Sequence, residues 1–154
     1  MLKYAYYKEL FQEVPDEITL GISISGCRIQ CPECHSKELW ANKGTDLTTQ
    51  ELERIIDEHE GITCVCIFGG EHDLYSLGTI LRHIHGPKGL RTAWYCGLDK
   101  LGPTGESLLV FLDYLKMGHY DSDLGGLDNP STNQRFYKVI SGNLVDITKV
   151  FYNK

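Results

Sequence analysis

Ile18-Thr-Leu-Gly-Ile-Ser-Ile-Ser25 alternates branched apolar with small residues, and it runs directly into Gly26-Cys27-Arg28-Ile29-Gln30-Cys31-Pro32-Glu33-Cys34-His35. The period of two predicts a strand over Ile18–Ser25. The polar, Pro-containing cysteine run after it predicts a loop. Downstream the pattern repeats as strand and helix in turn. Thr48 with Glu51 three residues on predicts a capped helix reaching about His59, with Leu52, Ile55 and Ile56 inward. Ile62–Phe68 is a short apolar run that stops at Gly69-Gly70, hence a buried strand. Leu74, Leu77, Leu81 and Ile84 recur at helical spacing, and Leu90–Cys96 predicts a further strand. Glu106–Met117 predicts a helix on Leu108, Leu109, Leu112 and Leu115. Asp121–Asn133 is loop-like around Pro130, and Phe136–Ile140 predicts a last strand.

Such alternation implies parallel pairing through right-handed crossovers. The chain is far shorter than the roughly 250 residues of a complete eight-unit barrel. The expectation is therefore an α/β fold, a partial (β/α) barrel or open sheet of mostly parallel strands, forming one domain over residues 1–154. Ligands of such sheets gather at the carboxyl ends of the strands. The cysteine loop and the Gly69-Gly70-Glu71 loop both follow predicted strands, so they are expected on the same side of the molecule.

At 154 residues, 42% hydrophobic and 23% charged, the chain has enough apolar content for an ordinary core and too little charge bias for disorder. A net charge of −6 gives no general attraction to phosphate backbones, so no nucleic-acid partner is expected. No apolar run approaches the roughly 18 residues of a membrane span, and no signal-peptide pattern opens the chain, so a cytoplasmic protein without a membrane partner is expected. Disulfides seldom persist there. Six cysteines then need another reason, and three of them fall between Cys27 and Cys34.

Three thiols spaced C-x-x-x-C-x-x-C can wrap one metal centre. A 4Fe–4S cluster on Cys27, Cys31 and Cys34 would leave one iron open to a ligand. Zinc on those three and His35 would place two ligands on adjacent residues, outside the usual spacing. Cys31-Pro-Glu-Cys34-His35 also fits the haem-attachment pattern, and a redox dithiol fits any C-x-x-C, but both leave Cys27 unexplained. Three buried structural cysteines would suit an apolar segment, whereas this one carries Arg28, Gln30 and Glu33.

The cysteine spacing, followed by Gly-Gly-Glu after a later strand, resembles the radical S-adenosylmethionine (SAM) enzymes. Phe11-Gln-Glu-Val-Pro15, Cys34-His35-Ser36, Asp113-Tyr-Leu-Lys116, Leu124-Gly-Gly-Leu127 and Thr132-Asn-Gln134 resemble one branch of them, the activating proteins of anaerobic ribonucleoside-triphosphate reductase. The similarity runs from about Tyr4 to Tyr137. It implies a 4Fe–4S cluster on Cys27, Cys31 and Cys34, and SAM held at Gly69, Gly70 and Glu71. It also implies reductive SAM cleavage that places a glycyl radical on the reductase's glycyl-radical subunit, fed by an electron donor such as a flavodoxin or ferredoxin. No catalytic residue beyond cluster and SAM is implied. Members often carry an aromatic residue before the last cysteine, against the adenine. Here it is Glu33, for which the resemblance leaves a backbone contact with the cofactor. The alternatives are a radical SAM enzyme acting on another glycyl-radical enzyme or a small molecule, and a non-catalytic iron–sulfur or zinc protein.

Other residues stand out less. Cys64 and Cys66 point to one face of a strand and read as small core residues. Cys96 ends the strand at Trp94-Tyr-Cys-Gly97, where it could line a ligand or pack. His72 reads as a solvated loop histidine that could offer a polar contact. Asn133 and Gln134 carry no role legible in the sequence, and Tyr4, Tyr6 and Tyr7 read as packing a sheet edge.

Overall fold

The computed structural model describes residues 1–27, 39, 41, 43–85 and 89–152. In chain order its elements are β1 (Lys3–Leu10), β2 (Thr19–Ile24), β3 (Thr45–Asp46), α1 (Thr49–Asp57), β4 (Cys64–Phe68), α2 (Leu74–His85), β5 (Arg91–Tyr95), α3 (Gly102–Glu106), β6 (Tyr114–Met117), β7 (Arg135–Ile140) and β8 (Asn143–Asp146). Short 3₁₀ turns cover Leu109–Phe111 and Thr148–Phe151. The start of α1 follows the capping chemistry: the Thr48 hydroxyl accepts from the Glu51 amide at 3.0 Å. The Glu51 carboxylate does not return to the cap; it accepts from the Tyr4 hydroxyl at 2.9 Å and pairs with Arg54. α2 is capped by Asp73, whose carboxylate accepts from the Ser76 amide at 3.1 Å.

The strands of the described residues form one sheet in the order β3-β1-β2-β4-β5-β6-β7-β8. Its middle is parallel: β2 pairs with β4, β4 with β5, and β5 with β6. Its flanks are antiparallel: β1 with β2, β1 with β3, β6 with β7, and β7 with β8. Four of the seven ladders are thus antiparallel, and this mixed sheet overturns the expected partial barrel of mostly parallel strands. Two physical causes account for the difference. The segment joining β6 to β7 stays at one end of the sheet with no crossover helix, so β7 must return antiparallel. And β1, half-exposed, and β8, exposed along its whole length, lack a clean apolar alternation, which leaves them silent to periodicity.

The expected helix over Glu106–Met117 is also overturned. Its leucines divide among a 3₁₀ turn, the residues flanking it, and β6. A strand wins there because both its neighbours offer backbone partners. The Asp113 amide donates to the Thr92 carbonyl at 2.8 Å, and the Val139 amide donates to the Asp113 carbonyl at 2.8 Å. Tertiary pairing of this kind overrides a helical spacing of leucines.

Alternation across the strands builds two cores. On one face Leu20, Ile22, Ile24, Val65, Ile67, Trp94 and Leu115 meet Leu52 and Ile55 of α1 and Leu77, Leu81 and Ile84 of α2. On the other, Cys64, Cys66, Ala93, Tyr114 and Phe136 pack with Val14, under Leu127 and Phe151. The Tyr95 hydroxyl donates to the Glu13 carbonyl and ties down the segment that carries Val14. At the amino ends of the parallel strands, buried Glu17 accepts from Thr63 at 2.7 Å and Tyr114 at 2.8 Å, with Arg91 at 2.9 Å. No helix of the described residues is long and apolar enough to cross a membrane.

Candidate functional site

Register fixes the geometry of the opposite rim. Ser23 pairs with Phe68, Phe68 with Tyr95, and Tyr95 with Lys116, so β2, β4, β5 and β6 end together. The segments that leave those ends are Ser25-Gly26-Cys27, Gly69-Gly70-Glu71, Cys96-Gly97 and Gly118-His119. Antiparallel β7 begins at the same rim, since Met117 pairs with Arg135, and it brings Asn133 and Gln134. The start of the cysteine segment and the Gly-Gly-Glu loop therefore share one edge, as the strand order required.

Cys27 is partly exposed at the end of β2. Gly26 turns the chain at φ 84°, a conformation that favours glycine. The Gly26 and Cys27 amides both donate to the Leu39 carbonyl, at 2.6 and 2.9 Å. Cys31, Glu33, Cys34 and His35 lie outside the described residues.

Gly69 and Gly70 take φ values of 99° and 89°. The loop is clamped from β5: the Gly69 amide donates to the Tyr95 carbonyl at 3.0 Å, and the Trp94 indole N–H donates to the Gly69 carbonyl at 2.8 Å. The two glycines face different ways. A Cβ on Gly69 would sit 3.4 Å from the Ile24 carbonyl oxygen and 3.9 Å from Glu71 Oε2. A Cβ on Gly70 would instead meet Leu77 at 3.3 Å and Leu2 at 3.6 Å, in the helix-side core. Of the pair, Gly69 is therefore the one whose missing side chain faces the end of β2 and the Glu71 carboxylate.

Glu71 is held by one oxygen. Its Oε1 accepts from the Gly97 amide at 2.8 Å, while Oε2 is shut from solvent with no hydrogen-bond partner. His72 departs from the sequence reading of a solvated loop residue: both its ring nitrogens are buried and unpartnered. Asn133 is in the same state, its amide nitrogen donating to the His119 carbonyl at 3.1 Å while its Oδ1 has no partner. A polar group left this way costs about 1–3 kcal/mol, and three such side chains lie on this rim. Buried Lys116 and Gln134 brace the neighbouring strand ends. Lys116 Nζ donates to the Gly118 carbonyl at 2.7 Å and the Cys96 carbonyl at 3.3 Å, and Gln134 Nε2 donates to the Gly118 carbonyl at 3.3 Å. Sequence reading missed Lys116 because it put that residue on a helix. It flagged His72 only for its place after Glu71.

The remaining cysteines belong to the interior. Burial pushes the Cys64 and Cys96 thiols up to about 12 and Cys66 well above its ordinary range, with the charges of Glu17 and Glu71 adding to the first two. Such thiols stay protonated and are poor metal donors. Cys96 also accepts from the Leu98 amide at 3.2 Å, which ties its sulfur into the strand end.

Among the described residues no three His, Cys, Asp or Glu side chains are gathered as a metal site. Three closely spaced thiols suit an iron–sulfur group in their chemistry, and Cys27 is the one of them among the described residues. Cys27 stands at the rim, unlike the three interior thiols, and unsatisfied polar atoms of Glu71, His72 and Asn133 occupy the same rim. A family model described as a 4Fe–4S single cluster domain matches residues 18–137. No curated protein and no solved structure matches the chain.

Proposed function

The chain belongs to the 4Fe–4S single cluster domain family, and from that premise we propose that it is a radical SAM activase serving anaerobic ribonucleoside-triphosphate reductase. The observation that carries this reading is Glu71. Its carboxylate is fixed by the Gly97 N–H and keeps a buried, unused oxygen beside Gly69, on the rim that bears Cys27. An amino acid-like ligand with an ammonium group is the complement of that carboxylate.

In this reading Cys27, Cys31 and Cys34 would hold the cluster, and Gly69, Glu71 and Glu33 would hold SAM, with Gly70 turning the loop onto the helix-side core. When bound, the cluster supplies a single low-potential electron to the sulfonium of SAM, chemistry that belongs to the cofactors. The chain's own residues position and exclude. Glu71 Oε2 accepts from the ammonium, Gly69 allows the approach, and Trp94 and Tyr95 keep the loop from moving away. Asn133 Oδ1 offers a further acceptor from the β6–β7 side.

The test is anaerobic reconstitution with iron and sulfide, followed by SAM and a reductant. 5′-Deoxyadenosine should form, and adding the reductase from the same source should give a glycyl doublet by electron paramagnetic resonance. Cys27→Ala, Cys31→Ala and Cys34→Ala should each abolish both. A reconstituted cluster that never yields 5′-deoxyadenosine overturns the enzymatic reading. Cleavage of SAM with a doublet only on a different glycyl-radical enzyme overturns the choice of partner.

A further inference from the structure

Lys116 carries an ammonium into the interior at the end of β6, where the sheet itself needs no charge. Its backbone lies opposite Tyr95 of β5 on one side and Phe136 of β7 on the other. An apolar side chain would fill the space without the cost of burying a cation. The ammonium instead reaches two loop carbonyls, Gly118 at 2.7 Å and Cys96 at 3.3 Å. The Cys96 carbonyl and the Gly97 N–H belong to one peptide unit. No peptide among the described residues is cis, so these two groups point in opposite directions. Lys116 therefore grips one end of that unit, and Glu71 Oε1 grips the other at 2.8 Å.

A cation at the oxygen and a carboxylate at the N–H polarise the peptide in the same sense, and each bond strengthens the other. The surrounding chain keeps the unit in place. The Cys96 amide donates to the Lys116 carbonyl and the Gly118 amide to the Leu98 carbonyl, both at 2.8 Å. Burial does most to raise the Cys96 thiol, but Glu71 also pushes it up and Lys116 draws it down, so both charges lie close to this residue. We propose that Lys116 is a positioning residue: it fixes the Cys96–Gly97 peptide and through it holds the Glu71 carboxylate in the orientation that receives the SAM ammonium. The inference rests on the SAM reading of Glu71 and adds to it the residue that sets the carboxylate's orientation.

The test is a double-mutant cycle on the SAM affinity of the reconstituted protein, joined to amide exchange of the full chain without SAM. Glu71→Gln and Lys116→Met should each weaken SAM binding by about tenfold, as loss of one charged hydrogen bond does. The double variant should bind about as Glu71→Gln alone, because the two residues act as one unit. Lys116→Arg, which keeps a cation, should recover part of the loss. In Lys116→Met the Gly97 amide should exchange faster, while the Gly69 amide, bonded to Tyr95, keeps its rate. Additive losses, or wild-type affinity in Lys116→Met, overturn the proposal. Wild-type affinity in Glu71→Gln refutes the SAM reading instead, and exchange at Gly97 then decides alone whether Lys116 holds Glu71, an unchanged rate overturning it. Should Lys116→Met fail to fold, scalar couplings across hydrogen bonds in the ¹³C,¹⁵N-labelled wild type decide. Gly97 ¹⁵N should couple to the Glu71 carboxyl carbon, and Lys116 ¹⁵Nζ to the Cys96 carbonyl carbon. Absence of either coupling overturns the proposal equally.

Discussion

Asp73 controls the start of α2 through a carboxylate that hydrogen bonding from Ser76, with the Met1 ammonium 3.0 Å away, draws down to about 2. An unfolded aspartate titrates near 3.9, so the folded state prefers the charged form. The stabilisation is complete above about pH 4 and is lost as pH falls toward 2. Asp73→Ala should cost about 0.5–2 kcal/mol at pH 7, as losses of helix caps do. The gap between variant and wild-type urea midpoints should close on acidification. A gap that persists unchanged at pH 2 would mean that packing, not the charged cap, is lost. The buried thiols run the other way. Cys64 and Cys96 are raised to about 12 by burial, so the unfolded chain, with thiols near 8.5, ionises first and stability falls above that pH. In the apoprotein at pH 8, Cys64, Cys66 and Cys96 should stay unmodified by a thiol reagent until denaturant is added. Mass-mapped labelling of any of the three in the native state would contradict their place in the core.

Among the elements, β6 is where the outcome departs furthest from the pattern of the sequence. If Leu108, Leu109, Leu112 and Leu115 shared one helix face, truncating any of them would cost alike. In the sheet they are unequal: Leu115 is fully buried between β5 and β7, while Leu109 is only partly buried on a 3₁₀ turn. Leu115→Ala should cost about 2–5 kcal/mol and Leu109→Ala clearly less, read from chemical denaturation. Equal losses would restore the helix. The elements legible in the sequence are those with a period or a cap: β2, β4 and β5 as short apolar runs, α1 through Thr48 and Glu51, and α2 through its leucines. β1 escaped because Tyr4, Tyr6, Tyr7 and Lys8 mix polar and apolar character on both faces. The antiparallel return of β7 escaped because strand direction is not a local property. Of the rim, Cys27 and the Gly-Gly-Glu loop were legible from motifs, while Cys31 and Cys34 lie outside the described residues. The enclosure of Lys116 and of the polar atoms of His72 and Asn133 was not, since it arises only when the strand ends come together.

For the molecule as a whole, the two cores lie on opposite faces of the same strands and cannot be lost separately. Phe136 shows how the second face is held. Its ring is buried among Tyr95, Tyr114 and Phe151, with centroids at 6.0, 5.9 and 5.0 Å. Thr148 reinforces it, its hydroxyl accepting from the Phe136 amide at 2.8 Å. Phe136→Ala should cost about 3–5 kcal/mol. In urea, far-ultraviolet circular dichroism and exposure of Cys66 should report one coincident transition, as in a single cooperative domain. Separate transitions would show that the helix-side core survives without the other face.

The bond from the Trp94 indole to the Gly69 carbonyl has an optical meaning as well. A buried indole is a fluorophore, and here it is attached to the very loop that flanks the Glu71 carboxylate. Iron–sulfur chromophores absorb broadly and quench nearby emitters, and a shift of the loop alters the polarity around the ring. With Trp40 replaced by phenylalanine, Trp94 remains the sole emitter of its type. Loading of the cluster and arrival of a ligand at Glu71 then become visible as changes in intrinsic fluorescence, with no label added.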